Sequence, residues 1–400
     1  MTIAERRRRR QQEERATLPT AIARVWWQAY RVPYRANFVT SLGSETVREG
    51  FLVGVECIDG QSGLGEAAPL PAYAGGTTDE TTRALSALAQ ALVGSRGEEA
   101  WDRSLEVPGV SAGASAAARC GLETATADLL ARRGGISFTD WLARRVSLGA
   151  TEFPTSLAAN ATIDARNAGS AVAAARAFVA AGFDTLKLKV GLDATADLSR
   201  VAAVRNAVGE KVTVRIDANG AWPFAEAQRL LPLYAQLGVQ LCEQPISHRL
   251  PNCLAQMSEL RSSGVAIAAD ESCRSTADLA QILNATAADA VVIKPMVAGL
   301  REALSMLMLA QAAAMPVIVT TLFETGVGVA MTAHLAALLG ADAPACGLAT
   351  LEHLETSLVT GVPSIDRGRM YLPAGTGLGV TIDETALATY ASGPLREVSL

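Results

Sequence analysis

From Phe153 onward, short apolar runs alternate with segments whose hydrophobic residues recur at helical spacing. The runs are Ser156–Ala161, Thr185–Val190, Val212–Asp217, Val239–Glu243, Val265–Asp270, Ala290–Lys294 and Val317–Thr321, with a weaker one at Cys346–Leu351. Between the first two, Ala168, Ala171, Val172, Ala175, Phe178 and Val179 trace one face of a helix. The polar residues near the ends of the central runs, Lys189, Asp217, Glu243, Asp270, Lys294 and Thr320, follow one another at about 24 to 28 residues. That is the length of a β/α unit, and about eight units in about 200 residues predict an α/β barrel. A doubly wound open sheet is the rival, but no G-x-G-x-x-G turn follows Ser156–Ala161.

The region before the repeat reads differently. Arg24–Tyr30 and Gly50–Ile58 are rich in β-branched and aromatic residues, and Asp59-Gly60 and Ser62-Gly63 supply turns, which predicts a small antiparallel sheet. Two connections, Val32–Ser44 and the Gly- and Pro-rich Gly65–Gly76, are expected to be loops that cover a site as lids. Residues 78–146 carry Ala and Leu at helical spacing. The expected organisation is a disordered tail over 1–18, an α+β capping domain over 19–150, the barrel over 151–355, and a segment over 356–400 that returns to the cap.

Composition narrows the function. A formal net charge of -5 gives no reason to expect nucleic acid or an anionic membrane as partner. Arg6–Arg10 sit among Gln and Glu with no apolar stretch typical of an export signal, and no apolar run reaches the roughly 20 residues of a membrane span. Cys57, Cys120, Cys242, Cys253, Cys273 and Cys346 form no CxxC pair, so free thiols in a cytoplasmic protein are expected. Only His248, His334 and His353 are present, which supplies few histidine-based sites.

The strand ends carry the candidate chemistry, because catalytic groups of such barrels gather there. Lys187 and Lys189 point to one face of their strand, a like-charge pair that needs carboxylates or an anion nearby. Asp217, Glu243 and Asp270 end the next three strands. One such acid is usually a cap or turn residue. Three in succession call for a cation, and an all-oxygen set suits Mg²⁺ better than Zn²⁺. Lys294 ends the following strand, so ammonium groups flank the acids on both sides. A site of this kind fits removal of a proton next to a carboxylate, with a lysine whose pKa is depressed by its charged neighbours.

The set Lys187-x-Lys189, Asp217-Ala-Asn219, Glu243-Gln-Pro, Asp270-Glu-Ser and Lys294-Pro resembles the muconate-lactonizing subgroup of the enolase superfamily. Within it, Val291-Val-Ile-Lys-Pro-Met-Val-Ala-Gly, Val319-Thr-Thr-Leu-Phe-Glu-Thr-Gly-Val-Gly, Gly347-Leu-Ala-Thr-Leu, Val47-Arg-Glu-Gly-Phe-Leu-Val and Gly65-Glu-Ala-Ala-Pro-Leu-Pro are most similar to o-succinylbenzoate synthases. The resemblance covers about residues 28 to 385. It implies a (β/α)7β TIM-like barrel under an α+β cap, with Mg²⁺ held by Asp217, Glu243 and Asp270. It implies Lys189 as the base, Lys187 as its electrostatic aid and Lys294 against the opposite face of the substrate. Asn219, Thr320 and Thr321 are expected to bind a small carboxylate substrate, and Glu324 to support the site from behind. Thr320 and Thr321 stand where the synthases often carry serines. The implied reaction is dehydration of succinyl-hydroxycyclohexadiene carboxylate to o-succinylbenzoate, a step of menaquinone or phylloquinone biosynthesis.

N-acylamino acid racemase and dipeptide epimerase use the same lysines and metal and are the first alternative; muconate cycloisomerase is the next. Dipeptide epimerases tend to carry Asp-x-Asp at the last strand, and Gly347-Leu-Ala-Thr-Leu has none. A catalytically dead scaffold would be expected to have broken one of the six charged positions, and all are present. The oligomeric state stays open, a homo-oligomer included.

Overall fold

The computed structural model describes residues 20–40, 43–74, 76–103, 108–149 and 152–400. The expectation for the tail over 1–18 lies outside these residues.

The protein is an α/β barrel with a separate antiparallel cap. In the cap, β1 (Ile22–Thr40), β2 (Gly43–Cys57) and β3 (Ser62–Ala67) form a meander, and β16 (Arg396–Ser399) adds to the outer edge of β1. The helix Ala112–Arg133 lies across β2 and β3. Its close approach depends on Gly63 and Gly65, since a Cβ on Gly65 would stand 1.9 Å from the Gly121 carbonyl oxygen and one on Gly63 2.1 Å from that of Ala125. The Ser62-Gly63 pair therefore serves strand packing, not the turn expected from its sequence.

Two further expectations are corrected. Val32–Ser44 is not an irregular loop: β1 and β2 stay paired to Thr40↔Gly43, with a register shift between Pro33 and Phe38. Pro33 lacks the N–H that would continue the ladder, and Phe38-Val39-Thr40 then re-forms it. The run Ser156–Ala161 is also not one strand. β4 (Ser156–Ala158) pairs with β14 (Arg369–Tyr371), which pairs with β13 (Ser364–Asp366), whereas β5 (Ala161–Ile163) starts the barrel. The alternation of buried Leu157, Ala159, Ala161 and Ile163 runs on to residue 163, past the expected end.

The barrel sheet runs β5, β6 (Thr185–Lys189), β7 (Thr213–Asp217), β8 (Val239–Glu243), β9 (Ala266–Ala269), β10 (Ala290–Ile293) and β11 (Val317–Val319), all neighbours parallel. Cys346 and Gly347 close it by bridging to Ala159 and Thr320. Outward residues such as Leu188, Val214, Ile216, Cys242, Ile267, Val291 and Val319 pack against the helices. Inward Leu241, Ala268, Ala290, Val292 and Ile318 form a small apolar floor. Four of these stand two residues before Glu243, Asp270, Lys294 and Thr320, so strand period places the polar layer directly above the floor. No helix among the described residues is long and apolar enough to cross a membrane. The short strands β12 (Val359–Thr360) and β15 (Thr381–Ile382) pair with each other.

His334, on the buried helix Gly326–Ala337, ties the barrel to the cap. Its Nδ1 lies 2.8 Å from Thr139 Oγ1 and its Nε2 3.3 Å from the Leu378 carbonyl oxygen. Burial pushes its pKa down to about 4. Between pH ~6.5 and ~4 the unfolded chain therefore binds a proton that the folded chain refuses, and stability is lost as the pH is lowered through this window. One proton is about 1.4 kcal/mol per pH unit. His334→Gln is expected to flatten the pH dependence of urea unfolding by up to that slope in this window. Parallel slopes for variant and wild type would contradict the assignment.

Candidate active site

Parallel register assembles the site. β6 and β7 align Lys187 with Arg215 and Lys189 with Asp217; β7 and β8 align Asp217 with Glu243; β8 and β9 align Glu243 with Ala268, two residues before Asp270. Lys187 Nζ donates to Glu243 Oε1 at 2.7 Å and lies 2.9 Å from Asp217 Oδ2. Lys189 Nζ donates to the same Asp217 Oδ2 at 2.7 Å and to Asn219 Oδ1 at 2.9 Å. Lys294 Nζ donates to Asp270 Oδ2 at 2.6 Å and to the Tyr73 hydroxyl at 2.7 Å. Five of the expected residues, Lys187, Lys189, Asp217, Asn219 and Glu243, thus share one network, and Asp270 with Lys294 forms a separate ion pair whose charges act on Glu243.

The three carboxylates are essentially removed from solvent, at 0% exposure for Asp217 and 2% for both Glu243 and Asp270. Burial alone disfavours each charge, and the neighbours decide the outcome. Burial works against the Asp217 charge, but Lys187 and Lys189 hold its carboxyl well below the usual range. Burial, followed by the Asp217 charge, pushes Glu243 up to about 7. Lys187 is opposed by burial yet held far above the usual lysine range by Asp217, Glu243 and Asp270. It is a fixed positive charge. Among the described residues, no three His, Cys, Asp or Glu side chains are gathered as a ready-made metal site; a lysine lies against each carboxylate instead.

Other side chains hold the strand ends. Gln244, with left-handed φ of 39°, accepts from the Asp270 and Ser272 amides at 3.0 and 3.1 Å through Oε1 and donates to Ser272 Oγ at 2.8 Å. This is the physical link between the Glu243-Gln-Pro and Asp270-Glu-Ser motifs. Arg200 donates to the Lys189 carbonyl at 2.6 Å and to Asp197, whose other oxygen accepts from the Gly191 and Leu192 amides.

Thr320, Thr321 and Glu324 lie on the seam after β11. Thr320 packs over Gly347, where an added Cβ would come within 2.7 Å of it. Thr321 Oγ1 donates to the Gly347 carbonyl at 2.9 Å and lies 2.8 Å from Thr350 Oγ1. Glu324 Oε2 accepts from the Leu322 amide at 2.5 Å. Burial, then the charge of Glu66, pushes Glu324 up to about 7.

Four residues at this site carry no role in the sequence reading. Tyr73, on the short helix Pro71–Ala74 inside the second expected lid, places its ring centroid 4.0 Å from Lys294 Nζ. Glu271 accepts from Asn219 Nδ2 at 3.0 Å. Arg48 and Glu66 join cap to barrel. Arg48 donates to the carbonyls of Phe323, Ala68 and Pro69. Glu66 accepts from Tyr30 at 2.5 Å, from the Thr325 amide and hydroxyl at 2.8 Å each, and from the Gly328 amide at 2.8 Å. A cap-domain carboxylate therefore caps the helix Gly326–Ala337, whose own first residues offer no side-chain cap. Arg48 and Glu66 fall in the motifs Val47-Arg-Glu and Gly65-Glu-Ala, but only the fold shows what they bond.

Residues 170–386 match the family described as Enolase C-terminal domain-like. The chain belongs to the enolase superfamily. Residues 23–121 match MenC, N-terminal domain. An aromatic dipeptide epimerase of Herpetosiphon aurantiacus is 32% identical over 328 residues, 80% of this chain and 87% of its own length. An o-succinylbenzoate synthase of Thermobifida fusca is 40% identical over 190 residues, 46% of this chain and 57% of its own. The dipeptide epimerase of Enterococcus faecalis V583, solved with Mg and L-Leu-L-Tyr, matches with a TM-score of 0.80 at 27% identity over 90% of this chain and 99% of that one.

Removing Glu66 leaves the buried Tyr30 hydroxyl, Thr325 and the Gly328 amide short of their acceptor. Glu66→Ala is expected to destabilise the protein by about 2 to 4 kcal/mol in urea unfolding, the range for stripping one partner from a buried charged network. A change below about 0.5 kcal/mol, the scale of an ordinary surface substitution, would contradict the capping role.

Proposed function

We propose that this enolase-superfamily chain converts succinyl-hydroxycyclohexadiene carboxylate to o-succinylbenzoate, with Lys189 as base. The observation that carries the chemistry is the placement of lysines from β6 and from the end of β10 on either side of three buried carboxylates. The matches to the MenC N-terminal family and to the Thermobifida fusca synthase support the choice of substrate.

The donor set fits a hard divalent cation: three buried carboxylates from successive strands, with Glu243 pushed up to about 7 partly by the charge of Asp217. Asp217, Glu243 and Asp270 would hold Mg²⁺. When bound, the ion supplies positive charge to the substrate carboxylate as negative charge develops there. Lys189 Nζ, as the neutral amine, takes the α-proton; the C–H bond breaks and its electron pair moves into the carboxylate. Lys187 stays an ammonium beside it, held by Asp217 and Glu243. The substrate hydroxyl then leaves on the same face, taking the proton from Lys189 and departing as water. Lys294 lies against the opposite face, and its contact with the Tyr73 ring indicates that this ammonium is available to a π system.

Dipeptide epimerisation is the second reading, favoured by 32% identity over 80% of the chain. A dipeptide brings an ammonium group that needs a carboxylate when buried. The closing segment from Ala345 to Leu351 supplies none.

Assaying the diene beside a panel of dipeptides and N-acyl amino acids, with Mg²⁺ present, separates the readings. The diene is expected to turn over, and Lys189→Ala to lower kcat by ~10²- to 10⁴-fold, the usual contribution of a general base. Rapid epimerisation of a dipeptide with no turnover of the diene would overturn the synthase reading and leave the base in place. Undiminished activity after exhaustive chelation would overturn the metal assignment.

A further inference from the structure

Glu271 has a buried carboxylate, 7% exposed, that pairs with no cation among the described residues and does not belong to the three acids at the strand ends. Its Oε1 accepts from Asn219 Nδ2 at 3.0 Å, and its Oε2 has no hydrogen-bond partner. Asn219 is itself held in a left-handed backbone conformation, φ 46°, with its amide N–H donating to Asp217 Oδ1 at 2.9 Å. Its side-chain oxygen faces Lys189 Nζ at 2.9 Å.

An asparagine amide is nearly symmetric in shape, so packing alone does not decide which end faces the lysine. Donor and acceptor matching decides it. With an acid on one side and a lysine on the other, only the orientation with NH₂ toward Glu271 and oxygen toward Lys189 satisfies both. The reverse would set donor against donor at Lys189 and acceptor against acceptor at Glu271.

The orientation has a consequence for the base. A neutral lysine amine carries two N–H bonds and one lone pair in tetrahedral array. Asp217 Oδ2 and Asn219 Oδ1 are two acceptors within 2.7 and 2.9 Å of Lys189 Nζ. With both N–H bonds so occupied, the lone pair takes the one direction that neither acceptor fills. We infer that Glu271 is a positioning residue that, through Asn219, aims the lone pair of Lys189 at the α-proton. This rests on the proposed role of Lys189 and deepens it. The transfer itself is unchanged: the C–H bond breaks, its electron pair stays with the substrate, and the proton completes the ammonium of Lys189.

The test compares Glu271→Leu, which removes the acceptor, with Glu271→Gln, whose side-chain oxygen still accepts from Asn219. Both are measured at saturating Mg²⁺ on whichever substrate of the panel the wild type turns over, with and without deuterium at the α-carbon. Thermal unfolding and Lys189→Ala serve as references. Glu271→Leu is expected to lower kcat ~10- to 100-fold with KM within about threefold, and to raise the deuterium isotope effect on kcat because proton transfer becomes more rate-limiting. Glu271→Gln is expected to recover most of that loss. Wild-type kcat and isotope effect in a folded Glu271→Leu, or equal impairment of the two variants, would overturn the inference. Activity that survives in Lys189→Ala would instead overturn the base assignment on which it rests.

Discussion

Asp217 Oδ2 is the point on which the site turns, because it accepts from Lys189 and lies within ion-pair distance of Lys187. Burying three acids at one end of a barrel would be untenable without nearby positive charge. Three lysines supply it, two from the strand before the acids and one from the strand end after them. The arrangement also fixes roles. Lys187 is locked as a cation between Asp217 and Glu243, whereas Lys189 shares its hydrogen bonds between a charged and a neutral acceptor. On the proposed function the same carboxylates that balance the lysines would hold a divalent ion, so one charge layout would serve both the base and the cation.

That layout depends on loops that the barrel strands do not fix by themselves. Gln244 clamps the Asp270–Ser272 turn, and Arg200 with Asp197 holds the chain after Lys189. The cap supplies the rest. Glu66 caps the helix that follows the Thr320–Thr325 loop, Arg48 bonds Phe323 in that loop, and Tyr73 reaches Lys294. The cap is therefore part of the site's construction as well as its cover.

Much of this was legible in the sequence because two periodicities coincide. Strand alternation puts Lys187 and Lys189 on one face and Asp217 and Asp270 inward, and the β/α repeat puts these residues and Glu243 at neighbouring strand ends. What failed was local. The run after Phe153 looks finished at Ala161 because polar Thr162 follows, although burial alternates on to Ile163 while the chain changes partners. Val32–Ser44 looks like a loop because it is polar and contains Gly43, yet pairing resumes beyond Pro33. Glu66 and Glu271 were not legible as participants. Each acts through a partner distant in sequence, Glu66 on residues 325 and 328 and Glu271 on Asn219, and no spacing along the chain signals such a contact.

On the proposed function Asp217, Glu243 and Asp270 hold one divalent cation, and the lysines balance their charge in its absence. Calorimetric titration of Mg²⁺ into the purified protein tests it most directly, with Asp217→Asn titrated alongside. The account predicts one Mg²⁺ per wild-type chain and loss of that binding in the folded variant. Absence of binding to the wild type, or binding that Asp217→Asn leaves unchanged, would contradict it.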